Sequence, residues 1–353
     1  MANKKQKLIY SAEYSFFIHP NVFFSFLGFK DLFPHKSHIT ALESTGIDPF
    51  VEKTYRKMMT GDITKTMMKR LSNLDVPKVK SQSQLPDKCS FFHVLWEYVN
   101  LSFKGNGSED FFLSRAYELL IKDSQLSCRC FQPERDSTDK NLHFWSSQYA
   151  VEFILAPYKL SYIPSIENMK QYQFLGQLSV ILHLIAAWEI DLKSSYELQV
   201  TDKSDVISYL PEYVDGKWVL PFKKLVVDWQ NRFDINSQEE VADVIPTKSE
   251  TDIEDRARKL KKWLAGQHRP SLDLLISDDT LDWLKAITKS QSKDLILREL
   301  IKLNITFALQ EVLRWMNKVS GKPNGLAKIP QEVFNTYEYH FLKNYEIYKK
   351  REQ

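Results

Sequence analysis

Apolar side chains recur along most of the chain at steps of three and four residues, which is the spacing of one face of an α-helix. The densest run covers residues 166–192 and predicts a central core helix through its apolar set: Leu175, Leu178, Ile181, Leu182, Ile185, Ala186 and Trp188. The same pattern predicts helices in six further segments: 89–104, 109–126, 143–156, 280–287, 292–319 and 330–348. It therefore indicates a mainly α, multi-helix globular protein.

One stretch carries a persuasive strand signal. Tyr213–Val219 has the dipeptide Asp215-Gly216 at its centre, and this dipeptide favours a two-residue hairpin turn because both turn positions need a positive φ. Pro211 and Pro221 bracket the stretch. A total of 10 glycines in 353 residues also favours helices over sheets or barrels. The predicted fold class is therefore mainly α with at most a small β-hairpin.

A polar run without periodicity separates the first part of the chain from the rest. Residues 76–88 contain two prolines and are the best candidate for a linker. At about 150 residues per domain, the chain has room for two or three domains. We predict an N-terminal helical unit at 1–75, a central helical body at 89–232 and a C-terminal helical segment at 233–353.

The most informative stretch predicts two short helices in succession. Ser237 followed by Glu240 has the capping-box spacing, and Pro246 ends the first helix after about two turns. A second helix is expected after Ser249 or Thr251. Its apolar positions fall on one side and predict the buried face: Ile253, Ala257, Leu260 and Leu264.

Two residues mark the end of this second helix and the beginning of a third. Gly266 is a natural left-handed C-cap. Pro270 pre-sets the first turn of a helix over residues 271–276.

Charge is sorted along the second helix. The acidic residues come first: Glu250, Asp252, Glu254 and Asp255. The basic residues come last: Arg256, Arg258, Lys259, Lys261 and Lys262. One interpretation is that acids lie at the positive end of the helix dipole and bases at its negative end. The other comes from the family resemblance given next.

Nine residues within Asn236–Ser277 match a known pattern: Ser237, Gln238, Val241, Ala242, Leu260, Trp263, Gly266, Pro270 and Ser271. Through them the stretch resembles the helix-turn-helix of the Cro/phage-repressor type. The resemblance implies a recognition helix that enters the major groove of DNA, with the side chains just before Trp263 facing it. The nucleic-acid contacts that it implies are Gln238, Arg256, Arg258, Lys259, Lys261, Lys262 and Arg269.

Two features depart from that family's pattern. The segment between Pro246 and Trp263 is longer than the family's compact turn and helix. The second helix also begins with acids, and Glu254 and Asp255 would repel a phosphate unless they point away from it. The resemblance covers about an eighth of the chain.

Composition limits how any nucleic acid could be bound. The net charge is only +3, so such a contact has to be local. Cys89, Cys128 and Cys130 are odd in number and lack the spacing of a disulfide framework or a zinc site. They are interpreted as reduced thiols of a cytoplasmic protein.

The longest apolar run does not predict a membrane span. Phe174–Ile190 is short for a span and is interrupted by four polar residues: Gln177, Ser179, His183 and Glu189. The first residues also lack the apolar core of a signal peptide. We expect no membrane partner.

No motif of a familiar catalytic chemistry occurs in the sequence. A Gly-rich phosphate loop, a Gly-x-Ser-x-Gly elbow and a His-Glu-x-x-His pair are all lacking. His35 and His38 are interpreted as surface histidines and His183 as a satisfied core histidine. We therefore predict no catalytic residue, cofactor or metal, and an enzyme of unrecognised type stays open.

The leading hypothesis is sequence-selective DNA binding in gene regulation, or in mobile-element or phage biology as the resemblance implies. The alternative is a helical interaction or scaffold protein that binds a protein partner and no nucleic acid.

Overall fold

The computed structural model describes residues 16–18, 20–29, 96, 110–130, 142–160, 169–246, 253–320 and 328–353. Over these residues the chain forms twelve α-helices and one two-stranded antiparallel sheet. The predicted fold class, mainly α with a small hairpin, is confirmed.

The helices are numbered here in chain order. They are α1 (Pro20–Phe26), α2 (Phe111–Cys130), α3 (Gln148–Ala150), α4 (Met169–Ser195), α5 (Pro221–Arg232), α6 (Gln238–Asp243), α7 (Ile253–Leu264), α8 (Leu272–Leu275), α9 (Asp278–Thr288), α10 (Lys293–Ser320), α11 (Lys328–Asn335) and α12 (Tyr337–Arg351). A π-helical turn at Val151–Leu155 follows α3, and a 3-10 turn lies at Ile207–Tyr209. The single helix predicted over residues 330–348 is in fact two, α11 and α12, separated at Thr336.

The hairpin forms where the sequence predicted it. Strand β1 (Glu212–Val214) pairs antiparallel with β2 (Lys217–Val219). Asp215 and Gly216 connect them with φ of 50° and 79°, the positive values that a type I′ turn requires. Pro221 then begins α5, where its missing N–H leaves no hydrogen bond unmade.

The chain divides into two compact units. The first comprises Met1–Phe23 and Asp31–Ile181, and the second comprises Phe24–Lys30 and Leu182–Gln353. This division differs from the three predicted segments, because it joins residues 182–232 to the C-terminal part of the chain.

An aromatic cluster forms the described core of the first unit. The ring of Phe16 stacks on Tyr149 with centroids 5.3 Å apart and meets Phe144 edge-on at 5.2 Å. The same ring lies so close to Gly176 that a Cβ there would come within 2.5 Å of it. The backbone N–H of Phe16 donates to the buried carboxylate of Asp123 at 2.8 Å.

A second aromatic cluster lies at the centre of the second unit. Five rings from α5, α7, α9 and α10 are each 3% exposed or less: Phe222, Trp229, Trp263, Trp283 and Phe307. Phe222 stacks on Phe307 at 4.5 Å, and Trp229 meets Trp283 at 5.6 Å and 90°. Such aromatic pairs add about 0.5–1.5 kcal/mol each beyond the area they bury. This cluster, hereafter the aromatic centre, is what α7 packs against.

Helix α4 has the buried apolar set that the sequence predicted, since all seven side chains are less than 9% exposed. By length and composition alone, Tyr172–Ser195 could also cross a membrane, but 83% of its apolar window is buried inside the protein. The core helix of a globular protein has the same properties, so this helix is weak support for a membrane association.

The second unit contains a buried ionic network that begins on α4. The Lys193 ammonium, 1% exposed, lies 2.8 Å from the Glu189 carboxylate and 3.2 Å from that of Asp205. Glu189 is fully buried and also accepts hydrogen bonds from the hydroxyls of Ser204, at 2.7 Å, and Tyr337, at 3.0 Å. Burial and the neighbouring Glu189 carboxylate raise the pKa of Tyr337, so its hydroxyl keeps its proton. The network ties the segment after α4 to α12.

Candidate nucleic-acid interface

Helix α6 begins with the predicted capping box. The Ser237 hydroxyl accepts from the backbone N–H of Glu240 at 3.3 Å, and the Glu240 carboxylate accepts from the backbone N–H of Asn236 at 3.3 Å. The carboxylate thus reaches one residue beyond the cap itself. Gln238, the first residue of α6 and a predicted DNA contact, has an exposed side chain.

The inner side of α6 is fixed to the rest of the second unit. Val241 and Ala242 are buried, and the Trp283 indole N–H donates to the Val241 carbonyl at 3.3 Å. The next described helix, α7, begins at Ile253, so nine residues of sequence separate it from α6. This connection exceeds the roughly 3–4 residues of a compact helix-turn-helix.

Helix α7 packs through a face that the sequence predicted only in part. Leu260 and Trp263 are buried, as expected of a helix on a core, but Ala257 is exposed and Leu264 only half-buried. The large Trp263 ring contacts Phe222 and Phe307 in the aromatic centre, at 6.2 and 5.9 Å. The large Trp263 side chain therefore determines which face of α7 packs on the core, and the small Ala257 does not.

As a result, two of the predicted DNA contacts lie on the inner side of α7. Arg256 and Lys259 are each one helical turn from the buried residues and are half-buried themselves. The Arg256 guanidinium donates to the Asp243 carbonyl, and the Lys259 ammonium donates to the Pro246 carbonyl at 3.0 Å. Arg256 therefore holds the last residue of α6 and Lys259 holds Pro246, so both cations are engaged with backbone carbonyls of the protein.

Three other basic side chains lie on the outer side of α7: Arg258, Lys261 and Lys262, hereafter the outer basic face. All three are exposed, and Arg258 forms an ion pair with Asp255 one turn earlier. Asp255 and Arg258 are 48% and 64% exposed, so water screens their attraction. Among the residues that the structure describes, neither Lys261 nor Lys262 forms an ion pair.

The C-terminal end of α7 is closed as predicted at Gly266. This glycine has φ +66°, and the N–H groups of Gly266 and Gln267 donate back to the carbonyls of Trp263 and Lys262 at 3.1 and 3.0 Å. That pair of bonds is a Schellman motif. The Gln310 side chain also donates to the Trp263 carbonyl at 3.0 Å. Sequence reasoning missed Gln310, because no local pattern links residues 47 positions apart.

Arg269, the last predicted DNA contact, is directed into the protein. Its guanidinium donates to the Phe26 carbonyl and lies against Gly28, whose φ is +94°. Burial lowers the pKa of Arg269 to about 9, and the nearby Glu311 carboxylate offsets part of this shift. This placement engages the Arg269 guanidinium with the protein's own backbone and not with the outer basic side chains of α7.

The next helix begins one residue later than predicted. The Ser271 hydroxyl caps α8 by accepting from the Leu274 N–H at 3.4 Å, so Pro270 precedes the cap and does not form the first turn.

Two of the described histidines lie in the protein core and offer no alternative site. His183 is 1% exposed and meets the ring of His340 edge-on at 5.6 Å inside the core. Burial lowers the pKa of His340 to about 3. Among the described residues, no three His, Cys, Asp or Glu side chains form a group that could hold a metal ion. His35, His38 and Cys89 lie outside the described residues.

No protein-family model, curated protein or solved structure matches this chain. The interpretation of the outer basic face therefore rests on its own geometry and on the local sequence resemblance.

Proposed function

We propose that this chain binds DNA through the outer basic face of α7. The observation that carries the proposal is the position of three exposed cations on a helix whose other side is fixed by Leu260 and Trp263. Lys and Arg side chains that neutralise phosphates release counterions, and this release supplies most of the free energy of non-specific DNA binding. A role in gene regulation, or in mobile-element or phage biology, rests on the sequence resemblance alone.

The geometry of the outer basic face suits a phosphate backbone. Arg258 and Lys262 are separated by about 6 Å along the helix axis, at a rise of 1.5 Å per residue. A short segment of one DNA strand can therefore contact all three cations. Because the inner side of α7 is already packed through Leu260 and Trp263, binding orders only side chains and costs little conformational entropy. The exposed amide of Gln238 is available to donate to a further phosphate.

The test is a fluorescence anisotropy titration of a labelled DNA duplex with the parent protein and with Arg258→Glu/Lys262→Glu. We expect the double variant to lose at least tenfold in affinity, because two attractive contacts become repulsive. The parent's affinity should fall by a similar factor or more as salt rises from about 50 to 200 mM.

A matched control has the same change in net charge at another exposed site. Lys349→Glu/Lys350→Glu places the reversal at the C-terminal end of α12. It should retain most of the affinity. The proposal is wrong if the parent does not bind, if its binding is insensitive to salt, or if both double variants lose affinity equally.

A second candidate function is protein interaction. It is favoured by two exposed aliphatic side chains, Val244 and Ile276, which are 37% and 55% exposed at the C-terminal ends of α6 and α8. The absorbance ratio at 260 and 280 nm of protein purified at low salt, before and after nuclease treatment, separates the two candidates. A defined protein partner together with an unchanged ratio would favour the interaction protein.

A further inference from the structure

The acidic and basic residues of α7 lie in different turns of the helix. This distribution indicates whether α7 can contact the bases of DNA or only its phosphates. In helix-turn-helix proteins the N-terminal residues of the recognition helix contact the base edges. The N-terminal turn of α7 instead carries Glu254 and Asp255, and the Asp255 carboxylate is about half-exposed. Its cations come later, and Lys261 and Lys262 lie in its last turn. The end of the helix that would enter the groove therefore repels the phosphates on either side of it.

The arginine nearest the end of α7 that would read bases is also engaged elsewhere. An arginine reads guanine by donating two parallel hydrogen bonds to its O6 and N7 atoms. Arg256, the arginine nearest the N-terminus of α7, donates to the Asp243 carbonyl. Arg258 lies beyond the first turn of α7, so it is placed for a phosphate and not for the base edges. The other outward-facing residues described on α7 include Ala257, which has only a methyl group to offer. Lys261 and Lys262 are point charges suited to phosphates.

We infer that the outer basic face recognises the sugar-phosphate backbone of duplex DNA and does not read its sequence. This inference rests on the proposed function and narrows it: the ligand is a duplex of any sequence, held by about three phosphate contacts. Each contact contributes about 0.9 to the slope of log K against log salt. The expected slope for the parent protein is therefore about −2.7.

The experiment measures dissociation constants for three labelled duplexes of equal length and unrelated sequence, one rich in A·T, one rich in G·C and one mixed. Titrations at several salt concentrations give the slope for each duplex. The constants should agree within about threefold, since phosphate contacts carry no sequence information. A selection from a random-sequence duplex library on the same protein should enrich no motif.

Single substitutions test the number of contacts. Lys262→Ala should reduce the magnitude of the slope by about 0.9 on every duplex, because one phosphate contact is lost. Lys349→Ala, at the exposed end of α12, is the matched control and should leave the slope unchanged.

The outcomes separate this inference from the function on which it rests. A motif enriched in the selection and bound about a hundredfold more tightly than the three duplexes would overturn the inference and leave DNA binding in place. A Lys262→Ala effect confined to one sequence would also overturn it. Failure to bind any duplex would overturn the proposed function, and the inference with it.

Discussion

Two ion pairs of the second unit join oppositely charged residues one helical turn apart, yet their surroundings differ completely. On α4, Glu189 and Lys193 are 0% and 1% exposed. The Glu189 carboxylate also accepts hydrogen bonds from the hydroxyls of Ser204 and Tyr337. On α7, Asp255 and Arg258 are 48% and 64% exposed. A buried charge that loses its partner has no water to replace it, whereas an exposed charge exchanges its partner freely. Losing one member of the first pair is therefore costly, whereas the second pair leaves its arginine available to a ligand.

The largest effect is expected from breaking the buried pair. Glu189→Gln keeps the shape of the side chain but leaves the Lys193 ammonium with Asp205 as its remaining carboxylate. We expect the free energy of unfolding to fall by about 3–5 kcal/mol. Urea denaturation followed by circular dichroism measures this change.

A double substitution checks that the lost stability comes from the Lys193 charge, which keeps only Asp205 as a carboxylate partner in Glu189→Gln. Glu189→Leu/Lys193→Met removes both charges and should recover part of the stability, because replacing a buried pair with apolar residues is often neutral or stabilising. Asp282→Asn, which breaks an exposed pair with Lys285 on α9, is the control and should change stability by less than about 0.5 kcal/mol. Equal losses in Glu189→Gln and Asp282→Asn would remove the contrast between buried and exposed pairs.

The second expectation is that the free energy of unfolding falls in acid, because a buried histidine must be protonated. Burial holds the pKa of His340 at about 3, below its ordinary value of 6.5. Between these values the unfolded chain binds a proton that the folded protein does not, so stability is fully present above pH 6.5 and is lost as pH falls towards 3. The loss should be about 1.4 kcal/mol for each pH unit.

His340→Phe isolates this contribution, because other groups also titrate in acid. The free energy of unfolding of the parent should fall more steeply than that of the variant below pH 6.5, whatever the difference between them at neutral pH. Leu342→Ser, an exposed neutral change on the same helix, should keep the parent's slope. Parallel curves for the parent and His340→Phe would show that another group causes the acid sensitivity.

Local signals in the sequence predicted the parts of the fold that depend on neighbouring residues. Asp215-Gly216 specified a hairpin, and Gly266 specified the end of α7, because both need a positive φ that other residues adopt at a cost. The apolar spacing that predicted a helix over residues 280–287 corresponds to α9, whose first turn carries Asp278 and Asp279.

The roles of individual charged residues could not be predicted in the same way. Arg256 and Lys259 donate to backbone carbonyls 13 residues earlier, and side-chain patterns do not show where a carbonyl points. The acceptor of Arg269 lies 243 residues away, in Phe26. Glu189 had been interpreted as a polar interruption of α4. Its spacing of four from Lys193 was the local signal that it had a partner.

The smallest expected effect concerns the exposed pair and joins stability to the proposed function. Asp255→Asn should change the free energy of unfolding by less than about 0.5 kcal/mol, since water stabilises the exposed Arg258 charge about as much as the Asp255 carboxylate does. It should also strengthen DNA binding by about two- to fivefold, the equivalent of a pair worth up to about 1 kcal/mol. The gain arises because Arg258 no longer has to leave Asp255 to reach a phosphate, and because one repulsive carboxylate is gone.

Asp282→Asn separates this local effect from a general change in net charge. It also neutralises an exposed acid that is paired with a cation one turn away, but it lies on α9 and not on α7. Anisotropy titrations should therefore show tighter binding for Asp255→Asn and a smaller change for Asp282→Asn. If the two variants bind DNA equally well, the gain comes from the change in the protein's net charge and not from a local effect on Arg258. If Asp255→Asn instead costs several kcal/mol of stability, its pair with Arg258 is as structural as the buried one, and the distinction between the two ion pairs fails.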